Sequence, residues 1–363
     1  MKLNSLLCIA ILAAASLAHV KADPVRWVDG RELTTIGTLA PDAKQPFSRL
    51  PDSLAQIRPE LWDLGSNSAG IALRFRSDAT DLHAKWRSHK KFNMNHMTAT
   101  GIRGLDLYLL TDDGHWTTAS SARPRLNDST TTVQIIGGMP RQMREYMLYM
   151  PLYDGVDSLW VGVDSAAILL PPAVNSPRRE KPIVWYGTSL LQGGCAARPG
   201  MAHTNIIERD LDLEVINLGF SGNAKLDPEI ARLMAQADAG LYIIDALPNV
   251  KAAEIPGRID DFYAIIRSAH PDVPIMLVES PYFPITRLVP QVMSDIKEKN
   301  TRLREFYDKT VAAGDNNVYY FSGEDLLGDE WEGTVDNYHF TDLGMKTVAQ
   351  SMLPAIKAIL QKK

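Results

Sequence analysis

Ile183-Val184-Trp185-Tyr186-Gly187-Thr188-Ser189-Leu190-Leu191-Gln192-Gly193 joins an unbroken apolar run to a glycine, a serine and a stretch that leads towards a helix. A short apolar run without alternation reads as a strand buried on both faces, the pattern of a parallel sheet. Gly187 lets the backbone turn sharply where the strand ends, and the turn after Ser189 can aim N–H groups at a developing negative charge. Taken alone, Gly-x-Ser reads more readily as a turn serine or a helix cap. The rest of the chain decides between these readings.

Downstream, Glu214 to Leu218, Leu241 to Asp245, Pro274 to Glu279 and Asn317 to Phe321 are further apolar runs. Helical periodicity fills Pro228 to Ala237, Ala252 to Ala269, Val289 to Ala313 and Asp342 to Leu360. Such alternation predicts a three-layer α/β/α fold around a parallel sheet, with sites beyond the carboxyl ends of the strands.

Chemistry-bearing residues fall at those ends. Gly219, in Gly219-Phe220-Ser221-Gly222-Asn223, has no side chain to hold a carbonyl off its backbone and is a candidate oxyanion N–H donor, with Asn223 placed to stabilise the loop. The plainer reading is a turn glycine. Asn249, after the third strand, can donate without titrating, or simply cap the next helix. In Asp336-Asn337-Tyr338-His339 the spacing lets a carboxylate hold one ring nitrogen while the other faces a serine. His203 lacks such a carboxylate, and His270, at a helix exit, is expected to satisfy carbonyls. Each signal is weak alone. Their succession along one sheet makes Ser189 the candidate nucleophile, His339 its base and Asp336 the orienter, with Ser189 N–H, Gly219 and Asn249 as the oxyanion hole.

Upstream, Leu170-Pro171-Pro172-Ala173-Val174-Asn175-Ser176-Pro177 can propagate neither helix nor central strand, because proline has no N–H. It sets a domain boundary between residues 23–176 and 177–363. Before it, Ile71, Leu73 and Phe75 alternate with polar neighbours, as do Leu82, Ala84 and Trp86, and later Leu105, Leu107 and Leu109. Short alternating strands broken by turn residues predict a β-sandwich of jelly-roll type with Asp106 on its wet face. At 363 residues, two domains with separate cores are expected.

The first residues place Lys2 before the apolar run Leu6 to Leu17 and end in Val20-Lys21-Ala22, a small-residue cleavage pattern. Residues 1–22 read as a signal peptide of an exported, periplasmic or secreted protein. The run falls short of the roughly 20 residues that span a bilayer, so stable membrane insertion is not expected. Cys8 leaves with the leader and Cys195 remains alone, which excludes an internal disulfide. A formal net charge of −5 without a basic stripe argues against nucleic acid. No His-x-His, His-Glu-x-x-His or paired-cysteine spacing points to a metal, and no dinucleotide or Walker spacing to a nucleotide cofactor.

Gly187-Thr188-Ser189, Gly219, Asn249 and Asp336-x-x-His339 resemble, in order, the conserved blocks of the SGNH (GDSL-like) hydrolases. Two departures stand out: Thr188 replaces the aspartate often found before the serine, and Leu247-Pro248-Asn249-Val250 replaces Gly-x-Asn-Asp. Neither missing aspartate is the catalytic acid. Gly104-Leu105-Asp106-Leu107-Tyr108 is similar to the Gly-x-Asp-Leu-Tyr motif of the β-rich domain that precedes some bacterial SGNH esterases. The resemblance implies a flavodoxin-like domain, acyl transfer through Ser189 with no cofactor, and de-esterification of sugars, with an acylated small molecule or glycan as substrate. A lipid or aryl-ester hydrolase is the alternative within enzymes, and a non-catalytic carbohydrate-binding protein the alternative outside them. Asn95 and His96 are candidates for reaching over the cleft to select substrate, against the plainer reading of an exposed loop.

Overall fold

The computed structural model describes residues 24–329 and 331–362. The expected leader, residues 1–22, lies outside them. The first half carries β1 (Val25–Asp29), β2 (Thr34–Ile36), β3 (Ala72–Ser77), β4 (Leu82–Ser88), β5 (Leu105–Leu110), β6 (Trp116–Ala122), β7 (Thr130–Ile136), β8 (Arg144–Tyr149), β9 (Val156–Asp164) and β10 (Leu169–Leu170). They pair into two antiparallel sheets, β1-β9-β4-β7 and β10-β3-β8-β5-β6, with β2 on β3, a jelly-roll-like sandwich. The alternating residues do what their period demands: Leu73, Phe75, Leu82, Ala84 and Trp86 meet in one buried core between the sheets. Trp86 satisfies its indole by donating to the Arg103 carbonyl at 3.0 Å.

The second half alternates strand and helix: β11 (Arg178–Gly187), α3 (Ser189–Gln192), α4 (His203–Leu211), β12 (Leu213–Gly219), α5 (Pro228–Met234), β13 (Leu241–Asp245), α6 (Ile255–Ala269), β14 (Ile275–Val278), α7 (Pro290–Ala312), β15 (Val318–Phe321), α8 (Glu324–Leu327) and α9 (Asp342–Gln361). Two short helices precede them in the first half, α1 (Pro59–Gly65) and α2 (Ala99–Arg103). The five strands run parallel in the order β12-β11-β13-β14-β15, the flavodoxin-like arrangement. Successive residues of β11 supply opposite layers: Ile183 and Trp185 pack with α4 and α9, Val184 and Tyr186 with α5 and α6. That is why the run is apolar throughout. The strand order reverses beside β11, so the crevice at its carboxyl end is where a ligand site is expected.

Two expectations change. Asp106 is not on a wet face; it is fully buried, because the outer side of its sheet is covered by Arg198 and Arg209 from the second half. The cores are not separate either. Leu50, Leu54 and Leu61 join the core beneath α5 and α6, while Ala69, Met97, Ile102, Leu152 and Tyr153 join the one beneath α4 and α9. Loops that carry such apolar residues leave water by lying on the neighbouring sheet's helices.

Candidate active site

Thr188 caps α3 by accepting from the Leu190 N–H at 3.3 Å, the task an aspartate could also perform there. Ser189 therefore opens a helical turn, where backbone N–H groups lack intrahelical partners. Its hydroxyl lies 2.9 Å from His339 Nε2.

His339 arrives on a tight turn. The Val335 N–H donates to the His339 carbonyl at 2.9 Å, and Asn337 at the tip takes φ 71°, a region that asparagine tolerates better than most residues. Phe340, almost fully buried, pins the next position. The turn brings Asp336 Oδ2 to 2.8 Å from His339 Nδ1, while Oδ1 accepts from the His339 N–H at 2.8 Å and the Tyr338 N–H at 3.1 Å. Burial pushes the Asp336 carboxyl up, but the imidazole and these two N–H bonds outweigh it and hold the group below its ordinary value. Ser189, His339 and Asp336 thus form one continuous chain of hydrogen bonds. The rivals stand elsewhere. His203 is buried against Trp185 and Phe340, and burial lowers it to about 3. His270 has a ring nitrogen 2.9 Å from the Ala235 carbonyl.

Gly219 is not an open donor. Its N–H donates to Asn217 Oδ1 at 2.9 Å, and a Cβ at this position would sit 2.3 Å from the Gln192 nitrogen. The strand continues through Gly219, which pairs with Gly187, so this glycine serves close packing and the loop begins after it. Gly222 is the exposed glycine of that loop, with φ 68° and nothing within 4 Å of a would-be Cβ. Asn249 sits beside it. With the amide oriented so that Oδ1 accepts from the Gly222 and Asn223 N–H groups, both at 3.3 Å, its Nδ2 protons are left for another acceptor.

Side chains remote in sequence brace this arrangement. Gln192 is fully buried; its Nε2 donates to the Leu152 carbonyl and its Oε1 accepts from the Ser221 N–H, both at 3.0 Å. The Tyr153 hydroxyl donates to the Ser189 carbonyl at 3.2 Å. Arg49, also fully buried, spends its guanidinium on the carbonyls of Leu64, Asn67, Asn217 and Gly219. Arg49, Leu152 and Tyr153 belong to the first half, so that half underpins the loops around Ser189. Nothing near these residues in the sequence announces the role; only Gln192 lies within the stretch that carries Ser189.

A cleft of about 500 Å³ opens at Ser189, Asn249 and His339. Phe283, Val292, Ile296 and Tyr338 form an apolar wall, and the Lys299–Asp295 pair, 2.9 Å apart, lies at its polar side. Asn95 and His96 do not line it. The Asn95 oxygen is 3.0 Å from His96 Nδ1, and the His96 ring stands at the rim, 5.8 Å from that of His339. A larger hollow of about 640 Å³ lies at the amino ends of the strands, around Leu213, Gly240 and Pro274. It is remote from the Ser189–His339 pair. Among the described residues, no helix is long and apolar enough to cross a membrane.

The GDSL-like lipase/acylhydrolase family matches residues 180–357, and the GxDLY N-terminus of SGNH-hydrolase-type esterases matches residues 25–169. A structure described as a GDSL-like lipase from Bacteroides ovatus is 32% identical over 94% of this chain and 99% of its own, with a TM-score of 0.88. Two structures share the fold at lower identity. The salicylyl-acyltransferase SsfX3 of a tetracycline biosynthetic pathway is 20% identical, covers 93% of this chain and 98% of its own, and has a TM-score of 0.76. A family two carbohydrate esterase from Clostridium thermocellum, in complex with cellohexaose, is 14% identical over 80% and 93%, with a TM-score of 0.58. No curated protein matches the chain in sequence. The chain belongs to the GDSL-like lipase/acylhydrolase family, and with it to the carboxylic ester hydrolases.

Proposed function

We propose that the protein removes short acyl groups, acetyl foremost, from a carbohydrate, by two-step transfer through Ser189. The observation that carries the reading is the Ser189–His339–Asp336 relay at 2.9 and 2.8 Å, open to a cleft at the carboxyl end of β11. His339 takes the hydroxyl proton as Ser189 attacks the ester carbonyl, and returns it to the leaving alcohol. Asp336 holds the ring tautomer and offsets the imidazolium charge. The oxyanion develops against the Ser189 N–H and the Asn249 amide, with the loosely held Gly222 N–H in the place first expected of Gly219. Water then releases the acyl group by the same steps in reverse roles.

The sugar reading is supported by fold likeness to family two carbohydrate esterases and by the first half of the chain reaching the site, where Tyr153 donates to the Ser189 carbonyl. It includes export, with residues 1–22 removed. One observation favours a second reading, an aryl or lipid ester: the apolar wall of Phe283, Val292, Ile296 and Tyr338 bounds far more room than acetyl fills.

Turnover of 4-nitrophenyl acetate by the protein, abolished in Ser189→Ala, tests the chemistry; a variant that keeps full activity ends the proposal. Acetate release from acetylated polysaccharides supports the sugar ester, whereas rates that climb with acyl length in a nitrophenyl series support the second reading. Glycan binding without any turnover would favour a non-catalytic carbohydrate-binding protein.

A further inference from the structure

His96, Cys195 and His339 come from three separate parts of the fold. His96 stands on the loop before α2, Cys195 on the loop after α3, and His339 on the turn before α9. Yet one ligand atom of each lies within 4.8 Å of those of the other two. The esterase reading uses only His339. The other two are not explained by it: Cys195 is free and buried, and His96 presents Nε2 only 3.9 Å from the Asp336 carboxylate.

We propose that His96, Cys195 and His339 form a binding site for a thiophilic divalent cation, zinc foremost, and that its occupancy switches the esterase off. Two imidazoles and a thiolate are the donor set that zinc prefers and that magnesium or calcium does not. Bond lengths of about 2.0–2.1 Å to nitrogen and 2.3 Å to sulfur require the three atoms to draw together by roughly an ångström. His96, half-buried on a loop, is the member free to make that movement. On binding, the Cys195 thiol gives its proton to solvent and its sulfur forms the bond to the metal. His339 cannot take part without surrendering a ring nitrogen that otherwise meets Ser189 or Asp336. Metal and relay therefore exclude one another. Asp336, beside both imidazoles, adds a negative charge that favours the cation.

The inhibition rests on the esterase reading; the binding does not, and the two are tested apart. Cobalt(II) added to the protein reports the thiolate through its near-ultraviolet charge-transfer band. The band is expected in the wild type and absent in Cys195→Ser, with affinity at least about tenfold weaker in His96→Ala. Zinc should bind one per chain, stop 4-nitrophenyl acetate turnover in proportion to occupancy, and release it on chelation. Cys195→Ser, nearly isosteric, should keep basal turnover and lose the zinc sensitivity. No cobalt band, or zinc inhibition equal in Cys195→Ser and wild type, overturns the site. A band with turnover undiminished at full occupancy overturns the switch. Should Ser189→Ala fail to abolish turnover, the esterase reading falls while the cobalt band still decides the site.

Discussion

The Asp106 carboxylate and the Arg198 guanidinium stand 92 positions apart and meet at 2.6 Å across the face between the β-sandwich and the α/β half. The same oxygen accepts from the Gly200 N–H at 2.8 Å, and Arg198 also donates to the Tyr108 hydroxyl at 2.7 Å. The aspartate and tyrosine of the Gly-x-Asp-Leu-Tyr stretch thus hold the loop that continues from the Ser189 turn. Breaking a buried charge pair from one side typically costs about 3 kcal/mol or more. Asp106→Ala should therefore lower the melting temperature markedly and weaken esterase turnover with it, while Asp106→Asn, still able to accept from Gly200, should lose less. Thermal denaturation of both variants checks this, and an unchanged melting point in Asp106→Ala contradicts it.

The relay and the amide should separate kinetically. Asn249→Ala is expected to lower kcat by about 10²-fold with little change in KM, because the lost bond forms only as charge develops. Asp336→Asn should cost up to about 10⁴-fold through the wrong ring tautomer, yet less than Ser189→Ala. Steady-state kinetics on 4-nitrophenyl acetate resolve the order; an Asn249→Ala defect confined to KM would remove it from the oxyanion hole.

Gln192 and Gly219 should matter through packing. Gln192→Ala leaves the buried Leu152 carbonyl without its partner, at about 1–3 kcal/mol, and frees the half-buried Ser221 N–H. Gly219→Ala drives a methyl into the backbone at Gln192 and cannot be relieved by a side-chain rotation. Both variants are expected to melt early and lose activity together. Crystal structures showing the Ser189 turn unmoved in either would count against the bracing role.

Glu208 supplies a pH signature. It is fully buried, accepts from the Tyr149 hydroxyl at 2.5 Å and the Val215 N–H at 3.1 Å, and burial pushes its carboxyl from the ordinary 4.5 up to about 8. The folded chain keeps this proton to higher pH than the unfolded chain does. Its contribution to stability is therefore fully present below the ordinary value, declines as pH rises towards 8, and is level above it. Glu208→Gln should flatten that decline. Melting temperatures of variant and wild type across the window check it, and parallel curves would refute it.

Much of the α/β half was legible because its signals are local. A parallel strand buried on both faces must be apolar throughout, so Leu241 to Asp245 can be read residue by residue, and the other strands nearly so. β11 begins before its apolar run, at Arg178 to Lys181, which are charged and exposed and carry no apolar signal. Asp336 and His339 were legible for a similar reason, since a turn joins residues that are near neighbours in sequence. Asp106 was misplaced because period-two alternation says that one face is buried and nothing about what covers the other. Gly219 was misread by the length of a strand: its N–H, which spacing alone had left open, donates to Asn217 Oδ1, and its missing side chain leaves room for the Gln192 backbone.

By itself the order of residues determined the class of fold and the family, and it set Ser189, His339 and Asp336 apart as candidates, because hydrophobic period, turn chemistry and short spacings act over a few residues. The tertiary structure alone decided that residues 96, 195 and 339 converge, that Arg49 and Tyr153 reach under the Ser189 loops, and that the Gly219 N–H is taken by Asn217. Those depend on packing between segments far apart in the chain, and burial, unlike periodicity, is a property of the neighbours that arrive.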